Sequence, residues 1–156
     1  MKKSNKVMLL LICIICILIW ENRKKEKEIN QYEKLSKKHL ELFLFMSDWV
    51  KFKQKNKNMV GYFIENNYKK IAIYGMSYVG KALVNELKNS DVEICYGIDQ
   101  NKNIFSSEIK IVSMEDCLEN VDAIVVTPMW AYTQIEREIR AKVNCDIVSI
   151  EDVIYW

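Results

Sequence analysis

Apolar and polar positions change rhythm three times along the chain. Val7 to Trp20 reads VMLLLICIICILIW, an apolar run without a charge, Gly or Pro. From Glu21 to about Lys57 there is again no Gly or Pro, and Glu, Lys, Leu and Gln dominate, which predicts one long helix. Inside it Ile29, Tyr32, Ser36, His39, Phe43, Met46 and Val50 advance by alternating threes and fours, a heptad seam that is only half apolar. A wider cluster of Leu42, Phe43, Phe45, Met46, Trp49, Val50 and Phe52 is expected to dock on the C-terminal body or on a partner. A short helix from about Met59 to Glu65 should end at Asn66-Asn67, since Asn readily takes the left-handed conformation that stops a helix.

After Lys70 the pattern becomes an alternation of strands and helices. Ile71 to Tyr74 is a β-rich run ending at Gly75, and Val79, Leu83, Val84 and Leu87 predict a helix from Val79 to Lys88. Val92 to Ile98 is a second strand, closed by Asp99; Ile109 to Val112 is a third, and Glu115 to Leu118 a brief helix. Ala123 to Thr127 is apolar almost throughout, the mark of a strand buried on both faces of a parallel sheet. A helix over Trp130 to Lys142 and a strand over Asp146 to Ser149 complete the series. The expectation is an α/β fold: a five-stranded parallel, Rossmann-like sheet in the order 3-2-1-4-5, preceded by a long helix and an N-terminal transmembrane helix. It divides the chain into an anchor (1–23), a helical neck (24–67) and a nucleotide-binding domain (68–156).

The apolar run alone covers roughly 21 Å, but Ser4 to Arg23 covers roughly 30 Å, the thickness of a hydrocarbon core. Lys3 and Lys6 can snorkel at one interface while Trp20 and Arg23 sit at the other. Ile19-Trp20-Glu21-Asn22 offers no small residue for cleavage, and neither Cys13 nor Cys16 follows one, so the segment reads as an uncleaved single span. Lys2, Lys3 and Lys6 precede it; Arg23, Lys24, Lys25, Lys27, Lys34, Lys37 and Lys38 follow it. That asymmetry predicts a membrane protein with its C-terminal domain in the cytoplasm.

Charge sharpens this picture. The net charge is +2, yet residues 1–70 carry 16 Lys/Arg against 7 Asp/Glu, and residues 71–156 carry 7 against 14. An acidic body lacks the basic face that phosphate neutralisation requires, so no nucleic-acid partner is expected. The five cysteines form no second pair beyond Cys13-x-x-Cys16, and His39 is the single histidine, so no metal site is expected.

Candidate chemistry gathers where the strand order reverses, beyond the carboxyl ends of the strands. Gly75-Met76-Ser77-Tyr78-Val79-Gly80 joins the first strand to its helix, the context of a dinucleotide fingerprint. Gly75 permits a tight turn and Gly80 close helix–strand packing, while Ser77 replaces the glycine that lets a pyrophosphate approach the backbone. Ser77 can still donate to a phosphate at the helix N-terminus. Asp99, at the end of the second strand, can accept from ribose hydroxyls, and Thr127, ending the fourth, can reach a ribose or phosphate. Nucleotide-binding candidates are therefore Gly75, Met76, Ser77, Tyr78, Val79, Gly80, Asp99 and Thr127. No catalytic residue is assigned: no Tyr has a Lys four residues on, and no nucleophile has a histidine partner.

Five stretches carry a resemblance: W49-V-K-F-K-Q, Y68-K-K-I-A-I-Y-G-M-S-Y-V-G-K, Y96-G-I-D-Q-N, V121-D-A-I-V-V-T-P and I147-V-S-I-E-D-V-I-Y. Through them the chain resembles a bacterial group of small Rossmann-like domains linked to cell-surface polysaccharide synthesis, and is similar to the nucleotide-sugar-binding domain of sugar acyltransferases. That group commonly reads Gly-Met-Gly where this chain has Gly75-Met76-Ser77. The resemblance implies a nucleotide or nucleotide-sugar ligand and a glycan-synthesis enzyme as partner. Two alternatives stay open: an NAD(P)-dependent oxidoreductase or epimerase subunit, and a structural membrane scaffold with a vestigial cleft. Self-association through the neck helix is a further expectation.

Overall fold

Freedom from Gly and Pro lets the chain begin as one helix, α1 (Lys2–Gln54). It stops where Asn56 takes the left-handed conformation, at φ 54°. The computed structural model describes residues 2–101 and 109–156; within the first turns of α1, side chains are described for Met8, Leu11 and from Cys13 onward. The chain forms two compact units, the first ending at Phe43 and the second running Leu44–Trp156.

The first unit is helix alone. Its apolar run stands exposed at Met8, Leu11, Ile14, Ile15, Ile17, Leu18, Ile19 and Trp20. Among the described residues no helix is long and apolar enough to cross a membrane. The flanking Lys2, Lys3 and Lys6, with Val7, Leu9, Leu10 and Ile12 of the run itself, lie outside the described side chains.

In the second unit the last turns of α1 bury Phe45, Trp49 and Phe52 on one stripe, with Phe45 and Trp49 meeting edge to face at 5.8 Å. Of the wide apolar cluster, these three are buried, whereas Phe43 and Val50 remain exposed. The short α2 (Val60–Glu65) adds Tyr62 and Phe63, and Asn67 at φ 58° releases the chain into the sheet.

The sheet has five parallel strands: β1 (Lys70–Tyr74), β2 (Glu93–Ile98), β3 (Ile111–Val112), β4 (Ala123–Val126) and β5 (Asp146–Ser149). Their order is β3-β2-β1-β4-β5, as the alternation predicts. Central β1 pairs with β2 and β4, placing Tyr74 level with Ile98 and Val126, so these three strands end together. Two helices make the crossovers next to them, α3 (Tyr78–Leu87) from β1 to β2 and α4 (Tyr132–Arg140) from β4 to β5. Helical spacing puts Val79, Leu83, Val84 and Leu87 of α3 in the core. Ile135 and Ile139 of α4 join Ala72, Tyr96, Ile98, Val112, Ile124, Val126 and Ile147 in a single buried cluster. All four residues of β4 are buried, the burial that its apolar run predicts.

Three local expectations change. Residues 115–118 form no helix: the Asp116 carboxylate accepts the Ser113 amide at 2.7 Å and the Ser113 hydroxyl accepts the Glu115 amide at 3.3 Å. Such side-chain bonds compete with helix and hold a turn instead. The helix expected from Trp130 begins as a 3-10 turn over Met129–Ala131 and becomes α-helical only at Tyr132. A last helix, α5 (Ile150–Tyr155), follows β5 and has no counterpart in the sequence reading. Ser149 and Asp152 form its capping box, and Ile150, Val153 and Ile154 bury one side of it.

Candidate functional site

The reversal of strand order lies between β1 and β4, and the six-residue turn from Gly75 to Gly80 leads from β1 into α3 beside it. Gly75 sits at φ +89°, a conformation that L side chains rarely adopt. A Cβ there would also lie 2.7 Å from the Thr127 hydroxyl and 2.9 Å from the Pro128 ring, so the β4 exit presses directly on the turn. A Cβ at Gly80 would run into the Gly75 carbonyl oxygen. Glycine at both positions thus lets α3 start against the strand end, as the spacing predicts.

Met76 goes the other way. Its side chain is fully buried, and a Cβ at Gly97 of β2 would meet its Cγ and Sδ at 2.8 Å. Three of the chain's four glycines, Gly75, Gly80 and Gly97, therefore serve one turn: two fix its path and the third makes room for Met76. Met76 contributes packing to the candidate site and presents only backbone. Gly97 was missed by the sequence reading, although a glycine inside a strand commonly marks such a close approach.

Asp99 bridges strand and turn. Its Oδ2 accepts the Met76 N–H at 2.8 Å and its Oδ1 accepts the Asn101 N–H at 3.0 Å. The structure thus places the candidate ribose acceptor on the turn itself, with one backbone amide on each oxygen. An ionised carboxylate has about four acceptor sites, so each oxygen keeps capacity for one further donor. Thr127 is also engaged internally: buried at the end of β4, it donates from Oγ1 to the carbonyls of Gly75 at 2.7 Å and Tyr74 at 3.1 Å. The Thr127 amide closes the same corner by donating to Tyr74 at 3.0 Å.

What faces solvent is the start of α3. Ser77 is exposed and so is Tyr78, at 78%. The Ser77 side chain makes no capping bond and the first turn contains no acidic residue. The helix's first backbone bond runs from the Lys81 amide to the Ser77 carbonyl at 3.0 Å, and among the described residues the amides of Tyr78, Val79 and Gly80 are the orphan donors of the N-terminus. Donors and helix dipole at such an end favour negative charge. Asp99 opposes it: a second anion about 6 Å from that carboxylate would meet a repulsion of about 3 kcal/mol at an effective dielectric constant near 20. Its charge is felt nearby, since Tyr74 has its phenol pKa raised by burial first and then by the Glu138 and Asp99 carboxylates.

The candidates therefore fall into two groups. Gly75, Met76, Asp99 and Thr127 lock the turn to the sheet, Val79 and Gly80 are buried against it, and only Ser77 and Tyr78 form its outward rim. For a dinucleotide the fit is poor, because the middle glycine is Ser77 and the carboxylate stands beside the turn where a pyrophosphate would approach. A single phosphoryl group at the rim, with a sugar hydroxyl donating to Asp99, suits the donor set better. Among the described residues there is no cluster of His, Cys, Asp and Glu able to hold a metal ion.

The chain matches no family model, no curated protein and no solved structure.

Proposed function

We propose that the second unit binds a nucleotide or nucleotide-sugar at the β1–α3 turn and serves glycan assembly at the bacterial membrane as an accessory module. The observation that carries the reading is the uncapped N-terminus of α3, opening beside the strand-order reversal with no acidic residue in its first turn. Phosphate would be held by the amides of Tyr78, Val79 and Gly80 and the Ser77 hydroxyl, a sugar hydroxyl by Asp99, and a base would stack on the exposed Tyr78 ring. The chain would present its ligand to a separate glycan-synthesis enzyme. Residues 7–20 would anchor it as a single span, with the C-terminal domain in the cytoplasm; the exposed apolar side chains of Ile14 to Trp20 support that placement.

A scaffold with a vestigial cleft is the second reading. It is favoured by Asp99 and Thr127, whose hydrogen bonds hold the turn closed from inside. A nicotinamide-dependent subunit fits less well, given Ser77 and the Asp99 carboxylate at the turn. A thermal-shift screen of the full chain against nucleotides, nucleotide-sugars and NAD separates the three, because a ligand that binds only the folded state must stabilise it. Stabilisation by a nucleotide or nucleotide-sugar at concentrations below a millimolar supports the proposal. No shift with any of them at millimolar concentration removes it and leaves the scaffold.

A further inference from the structure

The first unit has a face that the ligand reading does not use. Between Ile29 and Phe43 the helix exposes Ile29 (56%), Tyr32 (72%), Leu35 (47%), Leu40 (56%) and Phe43 (69%). Set in a heptad with Ile29, Ser36 and Phe43 at a and Tyr32 and His39 at d, Leu35 falls at g and Leu40 at e. In a parallel pair g meets the e position five residues on in the other helix, so Leu35 of one copy lies against Leu40 of the second, on both sides of the seam. Those leucines flank the two polar seam positions, Ser36 and His39, and shield the layer that would otherwise weaken it. Glu28 and Glu33 fall at g and e one heptad earlier and repel across the pair, so the flanking contact is strongest at Leu35 and Leu40 while Ile29 and Tyr32 continue the seam.

The exposed area is of the right size. Covering Tyr32 and Phe43 removes about 150–250 Å² each, and with the three aliphatic residues the stripe reaches about 700 Å² per copy, near the ~800 Å² per partner of a standard stable interface. We infer that two copies of this chain associate through a parallel coiled coil over Ile29–Phe43, with the Leu35–Leu40 pairs enclosing a Ser36/His39 layer. The association is independent of the ligand reading: it holds whether or not the turn binds a nucleotide.

Single-cysteine cross-linking of the full chain in detergent tests it, in a background where Cys13, Cys16, Cys95, Cys117 and Cys145 are all alanine. Ser36→Cys places a thiol at the a position and Lys34→Cys places one at f, on the far side of the helix. Under mild oxidation Ser36→Cys should give at least fivefold more disulfide-linked dimer than Lys34→Cys or the parent background. Adding Phe43→Lys should cut that yield severalfold while the helical circular dichroism is kept. Equal yields at the two positions, or a yield untouched by Phe43→Lys, would overturn the parallel pair.

Discussion

Replacing Asp99 by alanine asks whether this carboxylate is first a clamp or first a ligand contact. The substitution removes the acceptors of the Met76 amide at 2.8 Å and the Asn101 amide at 3.0 Å. A hydrogen bond to a charged group contributes about 1.5–3 kcal/mol. The Met76 bond is partly buried and keeps most of that value; the Asn101 bond is exposed, so water replaces it at little cost. The expected loss is therefore about 2 kcal/mol. With a urea slope of about 1–3 kcal/mol per molar, the unfolding midpoint should fall by about 1 M. Asp99→Asn, which retains one acceptor oxygen, should fall between. Equilibrium urea unfolding followed by far-UV circular dichroism reads both variants. An Asp99→Ala midpoint within about 0.2 M of the parent would refute the clamp and return Asp99 to the role of a free ribose acceptor, whose loss abolishes binding without touching stability.

Other substitutions probe the same corner and the core beneath it. Gly80→Ala drives a methyl group into the Gly75 carbonyl, so α3 must shift off the strand; thermal unfolding should show a loss of about 2–3 kcal/mol, and an unchanged midpoint would contradict the packing. Thr127→Val keeps the volume but removes the hydroxyl donated to Gly75 and Tyr74, and should cost about 1–2 kcal/mol in the same assay. Tyr96, whose hydroxyl donates to the Glu119 carbonyl at 2.7 Å, has its pKa pushed up to about 12 by burial first and then by Cys145, Cys95 and Glu119. An unfolded tyrosine ionises near pH 10, so this contribution is full below pH 10 and is lost as pH rises toward 12. Tyr96→Phe should flatten the alkaline limb of stability against pH, and an unaltered limb would show that Tyr96 does not govern it.

Strand order was legible because β1, β2, β4 and β5 are apolar runs of strand length separated by helical periods, and right-handed crossovers leave few arrangements. Short elements were harder. Residues 115–118 look helical by spacing, but Ser113 and Asp116 bind the backbone locally and win over a helix too short to nucleate. The α5 helix was signalled by Ser149 and Asp152, three apart in capping-box spacing, a cue lost inside what reads as a strand end. At the site, Gly75 and Gly80 announced the turn through backbone requirements alone. The engagement of Asp99 with Met76 could not be read from sequence, since it depends on β2 ending level with β1. Met76 belongs to the core because Gly97, 21 residues later, vacates the space it fills, a pairing visible only in three dimensions.

Ligand binding at the β1–α3 turn requires that the opening amides of α3 receive an anion. Backbone amide chemical shifts, recorded while a uridine or adenosine nucleotide is titrated into isotope-labelled full chain, address this residue by residue. Saturable shifts at Ser77, Tyr78, Val79 and Gly80, with those of β5 unmoved, are the predicted result. Spectra that stay superimposable up to millimolar nucleotide and nucleotide-sugar would contradict it.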